Sequence, residues 1–191
     1  MPNICVFGSG SFGTALGTIL ARNGNPVVIL ARSPETVQSI NEKHINPRYF
    51  SDITLPENLT ATNSAEEALK GAEFILHVVP VQHSYDYLRN LAPLLSPNVP
   101  IISCSKVLFI LWIIFPVINF LFFLNLQGIH ASTLKYMSNL IPEVLGNSPP
   151  TAFFSGPSFA RELLEFQPSA GIFSHFFLLP TKILKIYFCS D

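Results

Sequence analysis

Ile4-Cys5-Val6-Phe7-Gly8-Ser9-Gly10-Ser11-Phe12-Gly13 decides the fold: an apolar run feeds directly into G-x-G-x-x-G, and Thr14-Ala15-Leu16-Gly17-Thr18-Ile19-Leu20-Ala21-Arg22 follows at once. The order reads as strand, tight turn and helix. Glycines at 8, 10 and 13 let the chain turn sharply, let the backbone approach a pyrophosphate, and let the helix pack closely on the strand. The helix N-terminus adds unpaired N–H groups that suit phosphate oxygens. Glycine clusters also make ordinary loops, so the strand before and the helix after carry the reading, and Gly8, Gly10 and Gly13 are candidate dinucleotide-binding residues.

Composition narrows the class. A chain of 191 residues suits one large or two small domains and is long enough to bury a sizeable core. The net charge of −1 leaves no basic footprint for nucleic acid, and a charged fraction of 12% is about half the usual value. The deficit is local: 107–127 carries no charge, and 171–191 carries only Lys182, Lys185 and Asp191. Cys5, Cys104 and Cys189 are odd in number, far apart and form no C-x-x-C, which reads as small core hydrophobes in a reducing compartment. The five histidines show no ligand spacing on one element, so no metal site is expected. Met1-Pro2-Asn3 runs straight into the first strand, and no secretory signal is read there.

Along the chain, the first helix is expected over 11–22, ending at Asn23-Gly24 where glycine takes a left-handed position. A buried strand over 26–31 follows. It ends in Ala31-Arg32-Ser33, whereas an NAD-type Rossmann unit commonly places an acid there for the ribose hydroxyls. Arg32 therefore suits an adenosine ribose with or without a phosphate. Ser33-Pro34-Glu35 starts a helix that ends near His44. The segment 46–56, aromatic and marked by prolines, reads as a loop at the sheet's edge. Ser64-Ala65-Glu66-Glu67 is a capping box for a short helix closing at Gly71. A strand over 73–79 stops at Pro80, a helix spans 84–95, and a strand over 99–103 leads to Ser105-Lys106.

This alternation implies an α/β fold with a doubly wound, mostly parallel sheet whose ligands lie at the carboxyl ends of its strands. Gly8, Arg32, Pro80 and Lys106 all fall at such ends. Their convergence weighs more than any single motif.

The chain also resembles the NAD(P)-dependent glycerol-3-phosphate dehydrogenases of the bacterial and plastid type. The stretches that carry the resemblance are Gly8 to Leu16, Asn46 to Tyr49, Val79-Pro80-Val81-Gln82, Ser105-Lys106 and, above all, Ser155-Gly156-Pro157-Ser158-Phe159-Ala160-Arg161-Glu162. The resemblance implies NAD, or NADP, as cofactor, contacted by Ser11, Phe12, Arg32, Lys106 and Ala160. It implies glycerone phosphate and glycerol 3-phosphate as the small-molecule substrate pair, touched by Lys106, Gly156 and Ser158. It further implies a homodimer, a cytoplasmic location, and a plastid location if an N-terminal extension precedes the chain. A lysine ammonium at a strand end can neutralise a phosphate or polarise a ketone oxygen, and Ser158 offers a hydroxyl. The family's proton-donating lysine, and the arginine and asparagine that hold the substrate phosphate, lie in a C-terminal helical domain with no counterpart in these residues. A catalytically incomplete dinucleotide-binding fragment is therefore the competing reading.

The uncharged stretch 107–127, VLFILWIIFPVINFLFFLNLQ, is long and apolar enough for a membrane span. Its position argues against one. Removing it joins Ser105-Lys106 to Gly128-Ile129-His130 and restores the Ser-Lys-Gly-Ile order of the family, as a retained in-frame intron would require. A membrane-anchored Rossmann module is the third reading. The dinucleotide-binding domain is accordingly expected over 1–170, interrupted at 107–127, with 171–191 an unassigned apolar tail. Helices are expected over 131–145, with Pro142 as a kink, and over 158–165. A strand is expected over 151–154.

Overall fold

The parallel strands form where the sequence is apolar on both faces. In the computed structural model, which describes residues 1–105, 135–146, 149–155, 159–165, 167 and 172–175, β1 (Ile4–Phe7) is buried along its whole length. Its side chains alternate between two hydrophobic layers: Ile4 and Val6 pack into one, Cys5 and Phe7 into the other. A strand covered on both faces reads as a continuous apolar run, which explains why periodicity alone does not reveal its two sides. The elements after β1 are α1 (Ser11–Arg22), β2 (Val27–Leu30), α2 (Pro34–Lys43), β3 (Leu59–Thr62), α3 (Ala65–Leu69), β4 (Phe74–His77), α4 (Val81–Leu91) and β5 (Ile101–Ser103). They continue with α5 (Met137–Leu145), β6 (Thr151–Ser155), α6 (Ala160–Leu164) and β7 (Ile172–His175).

The strand order is β3-β2-β1-β4-β5-β6-β7, with β7 antiparallel to β6 and every other pair parallel. Residues of α1, α2 and α6 fill the layer on one face, and residues of α3, α4 and α5 fill the other. The sheet is doubly wound, as the sequence implies. Connections run outward from β1 through β2 to β3, then return to β4, so the direction of winding reverses between β1 and β4, where such sheets bind ligands.

Local chemistry sets the element ends. Ser33 Oγ accepts the Thr36 N–H at 3.3 Å, Pro34 occupies the first turn, and α2 ends at His44 in the left-handed region with φ of 53°. The capping box at Ser64 is only half as written. Ser64 Oγ accepts the Glu67 N–H, but the Glu67 carboxylate turns to the Thr62 hydroxyl, whose oxygen in turn accepts the Ser64 N–H at 3.1 Å. Thr62 thus relays the second arm of the box. Several expected boundaries move. The helix expected over 84–95 begins at Val81, with Pro80 as its N-cap, and a 3-10 turn follows at Ala92–Leu94. The helix expected from 158 begins at Ala160 after Phe159, and Pro142 stands inside α5 without ending it.

Two strands have no counterpart in the sequence reading. β3 is a short Leu-Thr-Ala-Thr segment hydrogen-bonded to β2, and β7 forms from the tail that the sequence leaves unassigned. The helix expected over 131–145 begins, among the described residues, at Met137, and 131–134, the stretch 107–127 and the tail beyond 175 lie outside the described residues. Among the described residues no helix is long and apolar enough to cross a membrane. Cys5 and Cys104 are both buried and neither forms a disulfide, and burial pushes the Cys5 thiol up to about 12.

His77, at the end of β4, is fully buried beside the Phe7 and Tyr87 rings, with Nε2 2.8 Å from Ser84 Oγ. Burial lowers its pKa to about 3, so the folded protein holds it neutral. The unfolded chain takes up a proton below about pH 6.5 that the folded chain refuses. Stability is therefore complete above that pH and falls as pH drops, by about 1.4 kcal/mol per unit. Between pH 6.5 and 5 the loss should reach about 2 kcal/mol, read as a lower urea midpoint, and His77→Gln should flatten the dependence. An unchanged midpoint over that interval would overturn the assignment.

Candidate functional site

The turn after β1 is shaped by three glycines that do different things. Gly8 has φ of +105°, a region that side chains rarely adopt, and its N–H donates to the Leu30 carbonyl at 3.2 Å. A Cβ there would lie 3.3 Å from the Val78 carbonyl oxygen, so the ends of β1 and β4 meet at this residue. Gly13 allows the closest approach: a Cβ would lie 2.1 Å from the Gly8 carbonyl oxygen. At Gly10, by contrast, a Cβ would meet nothing within 4 Å. Gly8 and Gly13 serve the chain's own packing. Gly10 leaves open space over the start of α1.

Gly10 caps α1 with extended backbone and no side-chain hydrogen bond, and no acidic residue stands in the first turn. The first N–H groups of a helix have no partner within it, and its dipole makes that end positive. Half-buried Ser11 and Phe12 border this end, and Phe12 also packs against the core layer under α1. An open cradle, the positive end of a helix and no acidic residue in its first turn are what a dinucleotide pyrophosphate requires, so the residues present fit that group.

Neighbouring strand ends complete the arrangement. Arg32 is exposed two residues beyond β2, with no ion pair among the described residues. Pro80 is exposed at the start of α4, which turns the chain away from the end of β4. Beyond β5, Cys104 N–H donates to the His77 carbonyl, and buried Ser105 Oγ donates to the Val79 carbonyl at 2.7 Å. These bonds draw the chain just before Lys106 toward the end of β4. Ala160, first residue of α6, packs against the same layer as α1, and Arg22 Nη1 ties the two helices by donating to the Leu164 carbonyl at 2.7 Å. Lys106, Gly156 and Ser158 lie outside the described residues.

The segment 46–56 does not skirt the sheet's edge as expected. Asn46 is fully buried and its side-chain amide donates to the Ser9 carbonyl at 3.1 Å and the Thr14 hydroxyl at 2.7 Å. Its Oδ1 accepts the Arg48 N–H, and Phe50 and Leu55 enter the core. Outside, Asp52 pairs with Arg161 of α6, which also holds Glu165. The Asn46-Pro47 pair announces a turn, but no local signal says what the amide will reach.

The family model for the N-terminus of NAD-dependent glycerol-3-phosphate dehydrogenase matches residues 3–111 and 116–175. The chain belongs to that family. A chloroplastic NAD-dependent glycerol-3-phosphate dehydrogenase of Oryza sativa is 40% identical over 170 residues, covering 87% of this chain and 34% of that protein. The NAD(P)-dependent enzyme of Nitratidesulfovibrio vulgaris is 35% identical over 200 aligned residues, covering 98% of this chain and 54% of that protein. Among solved structures, the glycerol-3-phosphate dehydrogenase of Saccharomyces cerevisiae shares the fold with a TM-score of 0.79 at 23% identity, covering 100% of this chain and 54% of that one. The Coxiella burnetii enzyme gives 0.77 at 24%, covering 99% and 51%. The chain thus spans from a third to about half the length of the relatives it matches. Its family is one of NAD-dependent oxidoreductases, and the dinucleotide in that family's name is the ligand class that the glycine turn suits. The family match breaks at 112–115, within the apolar stretch, and continues to 175, the last residue of β7.

Proposed function

We propose that this chain forms the dinucleotide-binding half of a glycerol-3-phosphate dehydrogenase, an enzyme that transfers hydride between NAD(P)H and glycerone phosphate to give sn-glycerol 3-phosphate. The open space at Gly10, bounded by the capless start of α1 at the point where the sheet's winding reverses, carries the reading. Gly8, Gly10, Ser11, Phe12 and Gly13 bind and orient the cofactor through backbone N–H groups and close approach. Arg32 meets the adenosine ribose and accommodates NADP as well as NAD, since its guanidinium can pair with a phosphate. Pro80 and Ala160 bound the cofactor's surroundings.

NADH, when bound, supplies the hydride. Lys106 neutralises the substrate phosphate or polarises the ketone oxygen, and Gly156 and Ser158 contact the substrate, Ser158 through its hydroxyl. The proton for the new hydroxyl comes from a group outside 1–191, by the family resemblance, so these residues alone are proposed to bind cofactor without turnover. The domain is proposed to run from residue 1 through β7 at 175, past the boundary expected at 170, with 107–127 an interruption. A homodimer in the cytoplasm, or in a plastid as in the chloroplastic relatives, fits the whole protein.

Titrating the purified chain with NADH, followed by nicotinamide fluorescence, tests the reading. Saturable binding that NAD displaces, with no NADH oxidation on adding glycerone phosphate, is the expected result. Absence of binding would overturn it, and turnover would overturn the assignment of the proton donor.

A further inference from the structure

Asn46 sits outside the glycine motif, yet it is the described side chain that reaches into the turn from another part of the chain. Its amide bonds the Ser9 carbonyl and the Thr14 hydroxyl, and that hydroxyl also donates to the same carbonyl at 3.4 Å. Thr14 is itself fully buried, and its carbonyl accepts the Thr18 hydroxyl at 2.7 Å. The Ser9 carbonyl is therefore held from two sides by groups that cannot move without disturbing the core. A trans peptide is planar, and its N–H points opposite to its C=O. Holding the Ser9 carbonyl inward consequently fixes the Gly10 N–H on the other side of that plane, at the residue whose Cβ position is open.

We propose that Asn46 is a positioning residue for the cofactor: by anchoring the Ser9 carbonyl it sets the Ser9-Gly10 peptide in the orientation that the dinucleotide pyrophosphate takes. This rests on the cofactor reading above. The segment carrying Asn46 is pinned at three points, by Phe50 and Leu55 in the core and by the Asp52–Arg161 pair outside, so the amide arrives from a fixed direction. A glycine-rich turn is otherwise free to sample many backbone states, and ordering it on binding would cost affinity.

The test compares Asn46→Ala with Asn58→Ala. Asn58 makes two similar side-chain bonds, to the Ala21 and Asn25 carbonyls at 2.7 and 2.8 Å, at the far end of α1. Both variants should lower the melting temperature, fully buried Asn46→Ala by more than exposed Asn58→Ala. Asn46→Ala should weaken NADH binding about tenfold, and amide hydrogen exchange over residues 8–14 of the unliganded chain should quicken while β4 stays protected. Asn58→Ala should leave NADH affinity within about twofold and exchange over 8–14 unchanged. Equal weakening by the two variants would reduce Asn46 to a structural role and overturn the proposal, as would unchanged exchange in Asn46→Ala. If the parent chain binds no NADH, the cofactor reading fails, while the exchange data still decide whether Asn46 orders the turn.

Discussion

Gly13→Ala should abolish NADH binding and lower the melting temperature by several degrees. The added Cβ would lie 2.1 Å from the Gly8 carbonyl oxygen and 3.2 Å from its carbon, both backbone atoms at the centre of the turn. Neither atom can yield without withdrawing the end of β1, because Gly8 N–H is bonded to the Leu30 carbonyl and Val78 N–H to the Phe7 carbonyl. Overpacking of this kind costs on the order of 1–3 kcal/mol. The displaced turn would then cost more in affinity than in stability. Two neighbouring substitutions sharpen the expectation. Gly10→Ala should leave the melting temperature nearly unchanged, because its Cβ meets nothing within 4 Å, yet it should weaken NADH by at least about a hundredfold by filling the pyrophosphate's space. Gly17→Ala, whose Cβ would meet Leu59, Val27 and Ile29 side chains at ordinary contact distances of 3.5–3.6 Å, should preserve binding and gain a little helix propensity. Thermal melts and NADH titrations on the three variants check this pattern. Retained binding in Gly13→Ala would show that the turn is more pliable than its contacts imply.

Deleting 107–127 should convert a poorly soluble chain into a well-behaved one. The deletion joins Lys106 to Gly128 and shortens the stretch between Ser103, the end of β5, and Met137, the start of α5, from 33 residues to 12, much closer to the connections that compact domains use. It also removes an uncharged apolar stretch that would promote association of the purified chain if exposed. The comparison is the fraction of expressed protein in the high-speed supernatant and the NADH affinity of each form. The shortened form should be recovered mostly in the supernatant and should bind NADH at least as tightly. A full-length chain that is soluble without detergent and binds equally well would refute the expectation. Recovery of the full-length chain only with membranes would favour the stretch as a span. At the level of the message, sequencing the transcript across codons 106–128 decides whether the stretch belongs to the protein: a processed message that still encodes it would end the retained-intron proposal.

The main elements follow from local chemistry. Apolar β1, the Ser33-Pro34 helix start and the Gly24 stop each act within a few residues, and the observed α1 has the bounds that the sequence implies. The glycine motif likewise states its chemistry locally, since its role depends on backbone freedom and on the helix that follows. β3 and β7 were not legible for the opposite reason. Leu59–Thr62 alternates weakly and is only four residues long, and it becomes a strand because the edge of β2 offers it hydrogen bonds. Ile172–His175 depends in the same way on β6.

The amino-acid sequence by itself determined the class of fold, the turn that suits a dinucleotide, and, through Ser155 to Glu162 with the glycine motif, the family. Tertiary structure alone decided where Asn46 goes. A buried amide takes whatever acceptors the folded backbone presents, and the Ser9 carbonyl and Thr14 hydroxyl are 37 and 32 residues away in the chain. No spacing rule links such partners; they meet because the core carrying Phe50 and Leu55 brings that loop over the end of β1.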